Sequence, residues 1–152
     1  MKGVPLWRSV VNDWCATQNA GPGLWRCMLG VYAARYIRHV DTMFFIQFRF
    51  DLAQLGHDGI YHKPATAAEQ RYAQANAPNV TAQLQLAYKA AKANGIPHAG
   101  YFSPSCYLHT VAWRADWLNL TIGTVNLWQA FQSDRTIWDN CNRANCNPTC
   151  PT

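Results

Sequence analysis

Along the chain, apolar positions recur first with a helical period and then run together as a strand does. Residues 28–39 (MLGVYAARYIRH) place Met28, Val31, Tyr32 and Tyr36 at helical spacing. Arg35, Arg38 and His39 follow at the end where a helix dipole favours cations. The next run, Met43-Phe44-Phe45-Ile46-Gln47-Phe48-Arg49-Phe50, is short, aromatic and nearly continuous, and predicts a strand buried on both faces. From Asp51 to about Asn79 the pattern fades into a polar, Ala/Gln-rich segment with His57, Gly59 and His62, which reads as a long functional or mobile loop. Val80–Asn94 is the clearest helix. Val80, Leu84, Ala87, Tyr88 and Ala91 share one face, Pro78 precedes it, Gly95 supplies the left-handed terminus, and Lys89 and Lys92 sit in the last turns. His98–Phe102 predicts a second strand, Ser103–His109 a turn, and Thr124–Trp138 a further helix with Val125, Trp128 and Phe131 on its face. Residues 1–27 read as a loop bracketed by Cys15 and Cys27, with Gly21-Pro22-Gly23 as a breaker. The tail from Asn140 has three cysteines and no regular pattern.

The order helix, strand, Asp, loop, helix, strand, His, helix predicts an α/β arrangement, a parallel sheet with helices packed against it. A length of 152 residues suits one ordinary domain rather than two. Seven Trp, seven Tyr and six Phe are more rings than a lone small domain buries, so some of them should face a partner, a ligand or another piece of the same fold.

The net charge of +5 comes from scattered residues (Arg8, Arg26, Arg35, Arg38, Arg49, Arg71, Arg114 and Arg135 among them), without a run and without a nucleic-acid motif. Such a charge speeds encounters with polyanions but specifies none. Nucleic acid is therefore not expected as a partner, and an acidic polysaccharide is the polyanion worth testing. Six cysteines (Cys15, Cys27, Cys106, Cys141, Cys146, Cys150) in a loop-rich chain suit an oxidising, extracellular setting. The sequons Asn79-Val80-Thr81 and Asn119-Leu120-Thr121 point the same way. Residues 1–8 carry no secretory signal and no stretch is long enough for a membrane span, which leads to the expectation that this chain begins inside a longer protein.

Two residues stand where parallel sheets gather their chemistry, at the carboxyl ends of strands: Asp51 after the first and His109 in the turn after the second. A carboxylate that accepts the imidazole Nδ1 proton fixes the tautomer needed for acyl transfer, and acid before histidine is the order of α/β-hydrolases. Each residue also has a plainer reading. Asp51-Leu52-Ala53-Gln54 is a plausible capping box, and His109 is a plausible turn histidine. Cys106 is a weaker nucleophile candidate. Cys141-x4-Cys146-x3-Cys150 has no histidine and an irregular spacing, so a disulfide knot outweighs a zinc site; six cysteines allow 15 connectivities. No metal and no cofactor is expected.

The surrounding segments carry more weight. Leu24-Trp25-Arg26-Cys27-Met28, Phe50-Asp51-Leu52-Ala53-Gln54-Leu55, Ser105-Cys106-Tyr107-Leu108-His109 and the ending Cys146-Asn147-Pro148-Thr149-Cys150-Pro151-Thr152 resemble, in order, segments of the pectin acetylesterase/Notum family. The resemblance runs from about residue 24 to the end. It implies that residues 1–152 are a single partial domain with a Cys-rich tail (140–152), the C-terminal portion, roughly 40%, of an α/β-hydrolase. It further implies a secreted carboxylesterase with Asp51 as triad acid and His109 as base, acting on an acylated protein or an acetylated polysaccharide. It makes Cys106 a disulfide half, and places His57 in a loop that borders the acyl pocket. The family's Gly-x-Ser-x-Gly elbow is missing: Ser9, Ser103, Ser105 and Ser133 have no flanking glycines. The chain by itself is therefore not expected to turn over an ester. The competing expectation is a secreted, non-catalytic binding module derived from that fold.

Overall fold

The computed structural model describes residues 11–110, 117–141 and 143–151. Arg8, Ser9 and Arg114 lie outside them. The chain parts into two compact units, Met1–Met43 with Gln83–Ala99, and Phe44–Ala82 with Gly100–Thr152.

In the first unit the described part of the loop expected over residues 1–27, from residue 11 on, is largely helical. It holds α1 (Asp13–Gln18), capped by the Asn12 side chain on the Cys15 N–H, and a 3-10 helix over Gly21–Met28. The disulfide Cys15–Cys27 joins the two. The helix expected over 28–39 shrinks to α2 (Gly30–Ala33). The reason lies in the carbonyls that a longer helix would have paired internally. Ala34 O and Ile37 O both accept from the Asn94 amide at 3.0 Å, and His39 adopts a left-handed φ of 59°.

β1 (Thr42–Ile46) is shorter and more exposed than a doubly buried strand; Ile46 is 44% exposed. After it the segment expected to be a loop forms α3 (Leu52–His57) and the first part of α4 (Ala67–Ala93). Thr66 and Glu69 start α4 with a reciprocal capping box: Thr66 Oγ1 accepts the Glu69 N–H at 3.2 Å, and Glu69 Oε2 accepts the Thr66 N–H at 2.9 Å. Pro78 lies inside this helix rather than ahead of it. Its buried stripe, Ala73, Ala77, Val80, Leu84, Ala87 and Ala91, keeps steps of four and three residues throughout. Gly95 takes the left-handed φ of 77° that the sequence predicts.

β2 (His98–Ser103) is followed, beyond a 3-10 turn at Trp117–Asn119, by the two-residue strands β3 (Thr121–Ile122) and β4 (Val125–Asn126), then α5 (Leu127–Gln132) and β5 (Thr136–Trp138). The helix expected over 124–138 is thus interrupted. Asn126 and Gln129 cap α5 reciprocally, Asp134 turns left-handed (φ 52°), and Thr136-Ile137-Trp138 leaves to pair with Tyr101–Ser103. β-branched and aromatic residues fit a pleated surface better than a helix end. The sheet order is β1-β2-β5. β2 and β5 are parallel, and the bonds Gln47 N–H to Phe102 O and Arg49 N–H to Pro104 O advance together, as parallel neighbours require.

Phe48, Phe102, Leu120, Ile122, Leu127 and Ala130 form one core cluster of the second unit; Phe50, Leu55, Ile60, Ala73 and Ala77 form another. Trp128 (47% exposed) and Trp138 (39%) stay partly uncovered. At Gly100 an added Cβ would meet Arg135 O at 2.6 Å and the Phe44 ring at 2.8 Å. Gly100→Ala should therefore cost about 1–3 kcal/mol through overpacking, readable as a lower urea midpoint.

The Glu69 carboxyl is held below its ordinary value by the Thr66 and then the Ala65 backbone N–H groups. Its contribution is thus present above the ordinary glutamate value and is lost as pH falls through the lowered one. Amide protection at Ala65 and Thr66, taken relative to the intrinsic exchange rate, should fall across that acid window, and the dependence should disappear in Glu69→Gln.

Candidate functional site

Beyond β1, Gln47 and Arg49 still bond Phe102 at the end of β2 and Pro104 just after it, and this extension delivers Asp51 to the carboxyl end of the sheet as the N-cap of α3. Its carboxylate is 5% exposed and fully employed. Oδ1 accepts the Ala53 and Gln54 N–H groups at 2.8 and 3.1 Å, and Oδ2 accepts the Gln47 side-chain amide at 2.9 Å. His109 Nδ1 lies 2.9 Å from Oδ1 and 3.0 Å from Oδ2. A carboxylate can only accept, so Nδ1 carries the proton and Nε2 is the basic nitrogen. The His109 side chain is 58% exposed, which leaves the imidazole open to a reacting group.

The loop that carries His109 is clamped before it reaches the histidine. Ser103, Pro104, Ser105 and Cys106 are fully buried, and Cys106 is bonded to Cys150. The Ser105 N–H donates to Asp139 Oδ2 at 2.7 Å, and Tyr107 meets Phe50 edge-on with ring centroids 5.7 Å apart. Burial also pushes the Tyr107 phenol above its ordinary value, so it stays neutral. Arg49, on the extended segment, ties the tail in. Its Nη1 donates to Asp139 O at 2.6 Å, Cys141 O at 2.9 Å and Ser105 Oγ at 3.2 Å. Burial holds the guanidinium below its ordinary value, with Asp139 opposing that shift.

The other sequence candidates separate from this pair. Cys106 in its disulfide has no thiolate to offer. Cys141 pairs with Cys146, so the tail cysteines are disulfides rather than ligands. His57 is exposed in the last turn of α3, and His62 binds the Lys63 carbonyl. Ser103 and Ser105 are fully enclosed. An apolar groove of about 380 Å³ is lined by Phe44, Ile46, Trp117, Leu127, Trp128 and Phe131, and neither Asp51 nor His109 lines it. Gln47 is the site residue that sequence reading passes over. Its signal was there: one amide inside an otherwise apolar stretch, four residues before the acid.

No protein-family model matches the sequence. The palmitoleoyl-protein carboxylesterase notum2 of Xenopus laevis is 24% identical over 168 residues, and its human counterpart NOTUM is 25% identical over 172 residues. Each match covers 99% of this chain and 32% of the relative. Among solved structures, the Wnt deacylase Notum of Drosophila superimposes with a TM-score of 0.81 at 24% identity, covering 99% of this chain and 42% of that one. The chain thus spans about a third of the length of the curated relatives it matches. Its fold is part of an α/β-hydrolase, and its likeness is to Notum.

Because Asp51 is cap and histidine partner at once, two substitutions separate the roles. Asparagine caps as well as aspartate does, so Asp51→Asn should unfold within about 1 kcal/mol of the parent in urea, whereas Asp51→Ala should cost about 1–2 kcal/mol more.

Proposed function

We propose that this Notum-like chain contributes the acid and the base of a carboxylester hydrolase, with Asp51 holding His109 and His109 moving the proton during acyl transfer. The observation that carries this reading is the buried carboxylate bonded through both oxygens to His109 Nδ1. Asp51 keeps Nδ1 protonated and faces the imidazolium with a negative charge when Nε2 takes up a proton. Nε2 then accepts the hydroxyl proton of a nucleophilic serine as the acyl carbon is attacked, and returns it to the leaving alcohol. The 152 residues contain no Gly-x-Ser-x-Gly elbow, so the serine and its oxyanion hole come from sequence outside them.

The named activity of the relatives, palmitoleoyl-protein carboxylesterase, makes an acylated protein the first substrate class to test, ahead of an acetylated polysaccharide. Three disulfides support an extracellular setting. A net charge of +5 supports contact with an acidic glycan. The partly uncovered Trp128 and Trp138 favour the alternative of a binding module, which would bind glycan or protein with no ester turnover.

A chimera in which this chain replaces the matching segment of Drosophila Notum tests the proposal, with p-nitrophenyl octanoate as the ester. Asp51→Asn and His109→Ala should each lower kcat by about 10^4-fold in folded chimera. A folded chimera that retains its turnover with either substitution excludes that residue from the mechanism. The isolated chain should hydrolyse the ester no faster than buffer, and enzymatic turnover by it would overturn the need for an external serine.

A further inference from the structure

We propose that Gln47 is a positioning residue whose side-chain amide sets the plane of the Asp51 carboxylate, so that both oxygens face His109 Nδ1. This rests on the reading of Asp51 and His109 as acid and base. The terminal torsion of an aspartate is broad and roughly two-fold, so burial alone does not choose the plane of its carboxylate. The α3 cap holds one oxygen only, because both the Ala53 and Gln54 N–H groups go to Oδ1. Oδ2 is held by Gln47 Nε2 at 2.9 Å. Two pinned oxygens define a plane, whereas one leaves the group free to swing about the cap.

Gln47 is itself anchored. The same Nε2 donates to Phe48 O at 3.2 Å, and the Gln47 backbone N–H donates to Phe102 O at 3.2 Å. The amide is therefore tied to the sheet rather than to the helix it helps. Its chemistry suits the task. An amide donates to a carboxylate without adding charge, whereas a lysine would compete with the imidazolium and a glutamate would repel the acid. The bond adds nothing to the capping of α3, which Oδ1 already serves, and this marks it as directed at His109. It also accounts for an amide within the apolar run Met43–Phe48.

The test uses the Notum chimera for kinetics and the 152-residue chain for proton NMR, where the imidazole Nδ1–H bonded to Asp51 gives a far-downfield resonance. Gln47→Leu removes the donor, and Gln47→Met removes it while keeping the length of the side chain and adding no charge. Each should lower kcat on the order of 10–100-fold with KM within about twofold, as expected when a reacting group is slightly misplaced. Each should also shift or broaden the downfield resonance, with the urea transition still cooperative at a somewhat lower midpoint, as losing one donor to a buried carboxylate requires. If both Gln47 variants keep the parent's kcat and resonance while Asp51→Asn abolishes turnover, Gln47 is not a positioning residue and the acid–base reading stands. If Asp51→Asn itself retains turnover, both readings fall.

Discussion

A buried carboxylate that can only accept hydrogen bonds is the constraint around which this site is organised. Stripped of water, such a group costs several kcal/mol unless donors surround it. Asp51 meets that demand from three directions: two backbone N–H groups at the start of α3, the Gln47 amide on the extension of β1, and the His109 imidazole from the loop after β2. The helix start, the strand end and the loop are therefore held to one another through a single side chain. The helix cap and the bond to His109 are not rivals here, because one oxygen serves the α3 N–H groups while both face Nδ1.

The second demand is that the loop carrying His109 stay where the carboxylate can reach it. Arg49 and the Cys-rich tail supply this. Asp139 receives the Ser105 N–H and the Asn147 amide on Oδ2, and Arg49 collects the carbonyls of Asp139 and Cys141. Asn147 and Thr149 bind Thr121, and the Cys106–Cys150 disulfide closes the arrangement three residues before His109. A crosslink closing a loop of this length removes unfolded-state freedom worth roughly 3–4 kcal/mol in the chain-entropy model. Features that look like compositional oddities in the sequence, a tail rich in cysteine and an arginine inside an aromatic run, are thereby parts of one clamp.

Local signals were reliable where a single interaction decides the outcome. The left-handed Gly95, the apolar stripe of Val80–Ala91, the strand at His98 and the capping role of Asp51 follow from backbone sterics or from side chains a few residues apart. The Thr66-x-x-Glu69 box was equally local and would have moved the start of α4 thirteen residues earlier than the expected Val80, from Val80 to Ala67. The hydrophobic pattern does not mark this start, because alanine-rich turns such as Ala73 and Ala77 bury a face without standing out as hydrophobic. The helix expected over 28–39 and the continuous helix over 124–138 failed for a different reason. Each pattern was compatible with a helix until a distant partner, the Asn94 amide in one case and the β2 edge in the other, claimed the same backbone.

The sequence by itself determined the alternation of helices and strands, an even set of six cysteines, the positions of Asp51 and His109 after strands, and the likeness to the pectin acetylesterase/Notum family. These rest on residue types, order and short spacings, which the chain states directly. Only the tertiary structure decided which of 15 cysteine pairings forms, that two residues 58 positions apart meet with Nδ1 2.9 Å from the carboxylate, and that Gln47 holds its second oxygen. The physical reason is that hydrogen bonds and crosslinks act over about 3 Å. Which side chains come that close is set by sheet register and loop packing, which no local stretch of sequence encodes.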